Sequence, residues 1–441
     1  MIDQYSDERA AQLTRWKRNR HHTSGVDAVK NAGTAYLPMQ PNMDAKAYSA
    51  HKAITEYKPA ASRTLASHLG LVFRVPAALT APDQLTALAD TVEANGDSLE
   101  ALSKWALREY SIANDGGILI DHPAVPNGLS RAQALALDLR PFLSRYSAEA
   151  IRTLEYGVVG GRKRLMRAVL ANSEKVMREL TITEGRYTVT MHYKGEGGWI
   201  AQEPTVPLAD GQPLNRIPFI PLSDGEAGAA FDDIVLTNLT HYLVAAELAT
   251  ALKWCAKPKL IVTGLDKDVE LDHSAGVAWR FESKDTEVEY VEFSGSGIAS
   301  IERQLDRLVK SMAEQGLRLL ISEQAPAESA ETTQRREASE NSILAANARH
   351  VSGKLTEALR FMAQWLGVDG STVSYSLNTD FVPATIDPQL LQQLVLLNAQ
   401  GKLSDLQLFT AMQRGELISE GVTYEQHQTE LEATPIDRPQ E

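Results

Sequence analysis

The stretch Asp232-Asp-Ile-Val-Leu-Thr-Asn-Leu-Thr-His-Tyr-Leu-Val-Ala-Ala-Glu-Leu-Ala-Thr-Ala-Leu-Lys-Trp-Cys255 decides how this chain is read. It predicts one helix, with Asp232 and Asp233 placing negative charge at the positive end of the helix dipole. Ile234, Val235, Leu236, Leu239, Leu243, Val244, Leu248 and Leu252 cover more than one stripe, so the helix should be contacted from several sides. A second helix is expected from Ile298 to Leu320, where Ile301, Leu305, Leu308, Met312 and Leu319 form one narrow stripe with a notch at Gly316. Two long helices with a short insert between them make a strut with a tip.

The insert, from about Ala256 to Gly297, reads as strands at Leu260–Thr263, Val277–Phe281 and Thr286–Phe293. In the last of these Val288 and Tyr290 alternate with Glu287 and Glu289. Asp266, Asp268, Glu270 and Asp272 lie at alternate positions, but the glycine and closing glutamate of a calcium loop are missing, so a solvated acidic hairpin is expected. After the second strut helix, Ile321–Thr333 is polar and carries Pro326. It leads into a helix from Thr333 to Trp365, with Val351, Leu355, Leu359, Met362 and Leu366 on its buried face. Gly367 and Gly370 end it.

Upstream, Asp7–Arg20 reads as a helix. The run Arg15-Trp-Lys-Arg-Asn-Arg-His-His22 is taken as a solvated helix face, with a nucleic-acid contact as the alternative. His21-His22 lacks companions at metal-ligand spacing. Lys46–Val72 should be two helices interrupted at Pro59. Pro82 should open a helix reaching Asn95, followed by one from Ser98 to Ala113. Gly116–Pro123 is a buried strand. Residues 139–183 resist assignment, although Gly157–Arg164, which lacks the Gly-Lys-Ser/Thr ending of a phosphate loop, reads as a turn beside a basic strand. Arg186–Tyr193 alternates as a half-buried strand, with His192 on its polar, surface side. Gly195–Gly198 turns into a partner strand, and Ile217–Leu222 is extended because each proline biases its predecessor away from helix. Downstream, Thr372–Phe381 is strand-like, Asp387-Pro388 and Ser404 open two short helices, and Thr423–Glu441 reads as a disordered tail.

Composition bounds the function. The chain has 441 residues, 43% hydrophobic and 23% charged, an ordinary globular balance. Its formal net charge of −13 argues against bulk attraction to DNA or an anionic membrane. Cys255 is the one cysteine, so no intramolecular disulfide forms. The polar N-terminus has no apolar signal core, no run of about 18 apolar residues is read, and no membrane association is expected. There is no Gly-x-Ser-x-Gly, no His-Glu-x-x-His and no phosphate loop. The expectation is therefore no enzyme activity, no catalytic residue, no metal and no cofactor.

In order along the chain, Tyr36-Leu-Pro, Leu69–Arg74, Gly116–Pro123, Ile217-Pro-Phe-Ile-Pro, Leu236–Tyr242, Pro258–Gly264, Glu331-Thr-Thr and Glu340–Leu344 carry a likeness. With them, the chain resembles the portal proteins of tailed bacteriophages over nearly its whole length. The resemblance implies an α+β, portal-like fold. Its parts are a wing (1–231 and 334–386), a two-helix stem (232–256 and 298–320), a small β-rich clip (257–297), a tunnel loop (321–333), a short helical crown (387–423) and a tail (424–441).

It also implies a ring, commonly of twelve subunits, at one capsid vertex of a virion, assembled in the host cytoplasm. Implied partners are the packaging ATPase (terminase), capsid and scaffolding protein, head-tail connectors, and double-stranded DNA passing without sequence readout. Ser322, Glu323, Gln324, Glu328, Ser329, Glu331 and Thr332 would face the DNA. Leu239, Leu243, Leu305 and Met312 would form the oligomer interface, and Asp266, Asp268, Asp272, Glu287 and Glu289 would lie on the docking clip. Another ring-forming connector or scaffold protein is the second reading, and a hydrolase the third.

Overall fold

The computed structural model describes residues 2–41, 43–123, 133, 137, 139–209, 211–223, 225, 228–256, 259–264, 286–291, 295–316, 330–381, 388–415, 417–418 and 422–433. It divides into two units, Met1–Asn378 and Thr379–Glu441.

The first unit is α+β. Its N-terminal helices are α1 (Asp7–Ser24), α2 (Val26–Asn31), α3 (Ala45–Ile54), α4 (Ala60–Val72), α5 (Asp83–Thr86) and α6 (Leu99–Ala113). The break before α4 falls at Pro59, which has no N–H to continue a helix. Ser98 caps α6 by accepting from the Ala101 N–H at 3.2 Å, and Asn114 ends it with a φ of 49°. The helix expected over 82–95 does not form. Only α5 and a short 3₁₀ turn, Ala89–Thr91, are helical there. The backbone beyond is drawn away: Leu143 N–H donates to the Val92 carbonyl at 2.9 Å, and the buried Glu93 pairs with Arg145 at 2.6 Å.

Every strand pairing between named strands is antiparallel. Strand β1 (Ala78–Thr80) pairs with β14 (Ser374–Ser376). A three-stranded sheet sets β2 (Gly117–Asp121) between β3 (Phe142–Tyr146) and β11 (Phe219–Pro221). Gly117 is required there, since a Cβ would lie 2.2 Å from the Phe219 ring. The unassigned region opens into a five-stranded meander: β4 (Ile151–Val159), β5 (Arg162–Ser173), β6 (Val176–Thr183), β7 (Arg186–Gly195) and β8 (Gly198–Ala201). Gly160 and Gly161, with φ of 59° and 77°, make the β4–β5 turn.

Leu119, Ile151, Leu170, Leu180, Tyr187 and Phe219 form one core cluster. Against expectation, His192 is not a surface residue. Its side chain is 13% exposed, and Nε2 lies 2.9 Å from Glu179 Oε2, which also faces Arg167. Two short strands, β9 (Leu208–Ala209) and β10 (Gln212–Pro213), precede β11.

Three long helices complete the unit: α7 (Asp232–Cys255), α8 (Ile298–Gln315) and α9 (Ala330–Leu366). Helix α8 runs to Gln315 and its backbone becomes extended at Gly316, while residues 317–320 of the expected helix lie outside the described residues. A Cβ at Gly316 would approach Thr64 at 2.7 Å and Ile234 at 3.0 Å, so only glycine fits between α4 and α7. Between α7 and α8, β12 (Lys259–Thr263) pairs with β13 (Glu287–Val291). The strand read at Val277–Phe281 lies outside the described residues. Val351, Leu355, Leu359 and Met362 of α9 are buried as expected, and Gly367, with a φ of 67°, follows its end.

The second unit holds α10 (Pro388–Ala399), α11 (Asp405–Arg414) and α12 (Tyr424–Ala433). Ser404 and Gln407 form a capping box at α11. The tail expected to be disordered contains α12. Thr423 and Gln426 exchange the same two bonds at its start, 2.9 and 3.2 Å, and Tyr424 and His427 contact the Phe409 ring.

Candidate functional site

The strut is rooted in α1. Its basic run, expected to be solvated, instead makes internal ionic contacts. Arg9 donates to Asp115 through two bonds of 3.0 Å and to the carbonyls of Ala148 and Ile151. Arg20 donates to Glu109 at 2.8 and 3.0 Å and to Glu149 at 2.6 and 2.9 Å. Burial opposes the Arg20 charge, but these carboxylates more than offset it and push its pKa above the usual value. Trp16, Asn19 and Arg15 donate to the last carbonyls of α6, those of Ile112 and Ala113. Those carbonyls have no partner within α6, so α1 satisfies its C-terminus.

The same helix holds the start of α7. Asp232 accepts from Asn19 at 2.7 Å, from Arg15 at 3.4 Å, from Arg18 at 3.5 Å and from the Ala229 N–H at 2.8 Å. One turn and a half further on, Asn238 is fully buried. Its amide donates to the Lys58 carbonyl at 2.8 Å and accepts from Tyr57 at 3.1 Å and the Ala61 N–H at 3.3 Å. The Ala61 N–H belongs to the first turn of α4, so a side chain 177 residues away caps a helix whose own N-cap residue, Pro59, makes no side-chain bond. Replacing Asn238 by alanine should destabilise the subunit by about 2 kcal/mol, because buried groups lose their partners. The midpoint of urea unfolding measures it, and an unchanged midpoint contradicts this role.

Tyr57 also meets His22, whose Nδ1 lies 2.9 Å from the hydroxyl. The one phenolic proton goes to Asn238, so the arrangement that satisfies both contacts puts a proton on Nδ1. His22 is fully buried. That burial, with Arg18 and His21 nearby, lowers its pKa to about 4.

By length and composition α7 is apolar enough to cross a bilayer, contrary to the expectation that no segment qualifies. Its buried residues explain the composition otherwise. Ile234, Val235, Asn238, His241, Tyr242, Ala245 and Ala246 all face the body of the subunit. Leu239 and Leu243, expected at an oligomer interface, are half-buried against Val29, Tyr36, Tyr48, Tyr57 and Tyr242 of the same chain. Met312, also expected at that interface, is 2% exposed within the subunit and lines a small cavity with Lys58, Pro59, Ala60 and Arg63 at the start of α4. Leu305 is half-buried beside a groove between α7 and α8. The exposed apolar residues of α7 are others: Leu236, Leu252 and Trp254.

At the tip, Glu287 and Glu289 are exposed on β13, opposite Thr263 and Ile261 of β12. Val288, Tyr290 and Val291 are exposed beside them. Asp266, Asp268 and Asp272 lie outside the described residues. So do Ser322, Glu323, Gln324, Glu328 and Ser329. Glu331 and Thr332, expected in a loop, lie within α9, which begins at Ala330. No group of three or more His, Cys, Asp or Glu placed to hold a metal occurs among the described residues.

No curated protein matches the sequence. Among solved structures, a chain from the virion of a native gene transfer agent particle is similar at 14% identity and a TM-score of 0.43, covering 87% of this chain and 98% of that one. A chain from the neck of the native particle, computed with C12 symmetry, gives 13% identity, a TM-score of 0.39, and 88% and 99% coverage. One from the neck of the empty particle, computed with C6 symmetry, gives 14%, 0.41, and 80% and 90%. Residues 231–366 match the family model described as a domain of unknown function, DUF4055, a span that opens at the residue before α7 and closes with the last residue of α9.

Proposed function

We propose that the chain is the portal subunit of a tailed-phage or prophage particle. It closes into a ring of about twelve copies at one capsid vertex, as the resemblance of its sequence implies. One observation carries the reading. Helices α7 and α8 pack on each other and carry an antiparallel β12–β13 hairpin between them, rooted in an α+β body to which the long helix α9 belongs. In this reading α7 and α8 are the stem, the hairpin is the clip that docks a packaging ATPase, residues 321–333 enter the bore, and 387–423 form a crown. Capsid, scaffolding and connector proteins are the other partners. The protein supplies a passage and no chemistry.

The charge supports a channel that does not grip its cargo. Duplex DNA carries about one negative charge per 1.7 Å, so a basic bore would hold it. A chain of net charge −13, repeated around a ring, repels it instead.

Electron microscopy of negatively stained protein should show rings with a central opening. Light scattering should give a mass about an order of magnitude above the 48.3 kDa chain. A monomer or dimer at every salt concentration overturns the reading. A ring whose hairpin lies away from its narrow end favours another head-tail connector.

A further inference from the structure

Helices α7 and α8 leave a groove of about 320 Å³ along one flank. Ala245, Leu248, Leu252, Leu305 and Val309 line it with apolar surface, Glu56, Glu302 and Asp306 add three carboxylates, and Lys58 adds one ammonium, so the lining is net acidic. His241 also lines it. That side chain is 4% exposed, and its Nδ1 has no hydrogen-bond partner.

The partner's chemistry is written on α8 itself. At 3.6 residues per turn, Ile301, Leu305, Leu308 and Met312 point toward α7, while Glu302 and Asp306 point to the groove. Arg303, Arg307 and Lys310 occupy a third face, about a quarter turn beyond the acidic one and away from α7. All five charged residues are exposed, and none makes an ion pair among the described residues. Each stripe repeats one sign at spacings of three or four, which weakens an isolated helix. Asp306 is within reach of Arg303 and Lys310 along the same helix, but Glu302 and Arg307 point in different directions and cannot meet within α8. They can meet between two copies in a head-to-tail contact, which is the contact that closes rings.

We propose that the basic stripe Arg303–Arg307–Lys310 of one protomer seats in the Glu56–Glu302–Asp306 groove of the next, so that charge fixes the register of adjacent stems. The occupant is a second copy of this chain. The inference rests on the ring reading and adds to it which faces meet. The apolar lining takes the methylene stems of the arginines, and the carboxylates take their guanidinium groups.

Charge reversal in the full-length chain tests it. Glu302→Lys with Asp306→Lys, and separately Arg303→Glu with Arg307→Glu, should each raise the concentration needed for assembly by about tenfold or more at physiological salt. Combining all four changes in one chain restores opposite charges between positions 302 and 306 and positions 303 and 307, although Glu56 and Lys310 keep their signs, so it should recover a large part of the assembly lost in either reversal. Circular dichroism confirms that each variant is folded. Should a reversal impair folding, Glu302→Gln with Asp306→Asn provides the same comparison without introducing charge. Wild-type assembly should also weaken at 1 M salt, where the screening length falls to about 3 Å.

Assembly indifferent to both reversals overturns the inference and leaves the ring reading intact. So does a folded four-fold variant that stays dissociated, since the stripes would then meet some other partner. A wild type that never assembles overturns both.

Discussion

Replacing Arg20 by methionine should destabilise the subunit by about 2–3 kcal/mol, below the ~3–5 kcal/mol of a fully buried ion pair because Arg20 is itself 32% exposed while its partner Glu109 is buried. The cost falls on the carboxylate left behind. Glu109 is 2% exposed, and its remaining donor is the Ala148 N–H at 2.9 Å. A buried carboxylate that loses a guanidinium must stay charged in a poor solvent or take up a proton. The loss should not stay local, because Arg20 joins α1 to α6 through Glu109 and to the 3₁₀ turn before β4 through Glu149.

Chemical denaturation at pH 7 measures the effect. Adding Glu109→Gln to Arg20→Met should recover part of it, since a neutral amide is cheaper to bury than a charge. If the double variant is less stable than Arg20→Met by the full cost of Glu109→Gln alone, the two side chains do not interact and the hub is wrongly drawn.

The second large effect is on acid stability. His22 is buried, with its pKa lowered to about 4, against about 6.5 in an unfolded chain. Between these values the unfolded state binds a proton that the folded state does not, so stability rises with pH across that window. Its contribution is present above pH 6.5, declines as pH falls toward 4, and is lost below. A difference of about 2.5 pKa units corresponds to about 3 kcal/mol over the whole window. His68, half-buried against Phe231 with its pKa also lowered to about 4, acts in the same direction.

Unfolding free energies measured from pH 7 to pH 4 should therefore fall steeply in the wild type. The slope should be shallower by up to one proton in His22→Gln, whatever that variant loses at pH 7. Parallel slopes in the two proteins would place the titration elsewhere. The consequence for function is that the root of the strut, where His22 meets Tyr57 and Asn238, is weakened by acid before the apolar core is.

Both effects arise in α1, the helix whose basic run the sequence alone presents as a solvated face. What the chain determined locally, it determined well. The bounds of α7 follow from unbroken helix-forming residues behind two N-terminal aspartates. The capping serines 98 and 404 mark helix starts because each cap is made within three residues. Arg186–Tyr193 is a strand because its side chains alternate, and the Gly160-Gly161 turn needs only backbone freedom. The start of α12 was legible by the same logic in Thr423-x-x-Gln426, a capping pattern hidden by the polar residues around it.

Tertiary structure decided the rest. In β4 and β5 the pairing register shifts at Ile151/Thr153, Glu155/Tyr156 and Ala171/Ser173, and each bulge resets the two-residue period that would have revealed a strand. Residues 92–93 left a helical pattern for Leu143 and Arg145, some 50 positions away. The arginines of α1 read as exposed because charged residues usually are. Their partners Asp115, Glu109, Glu149 and Asp232 lie between 89 and 217 residues distant. No local pattern encodes a bond of that span. It exists only once the chain has brought the charges together and shielded them in part from water.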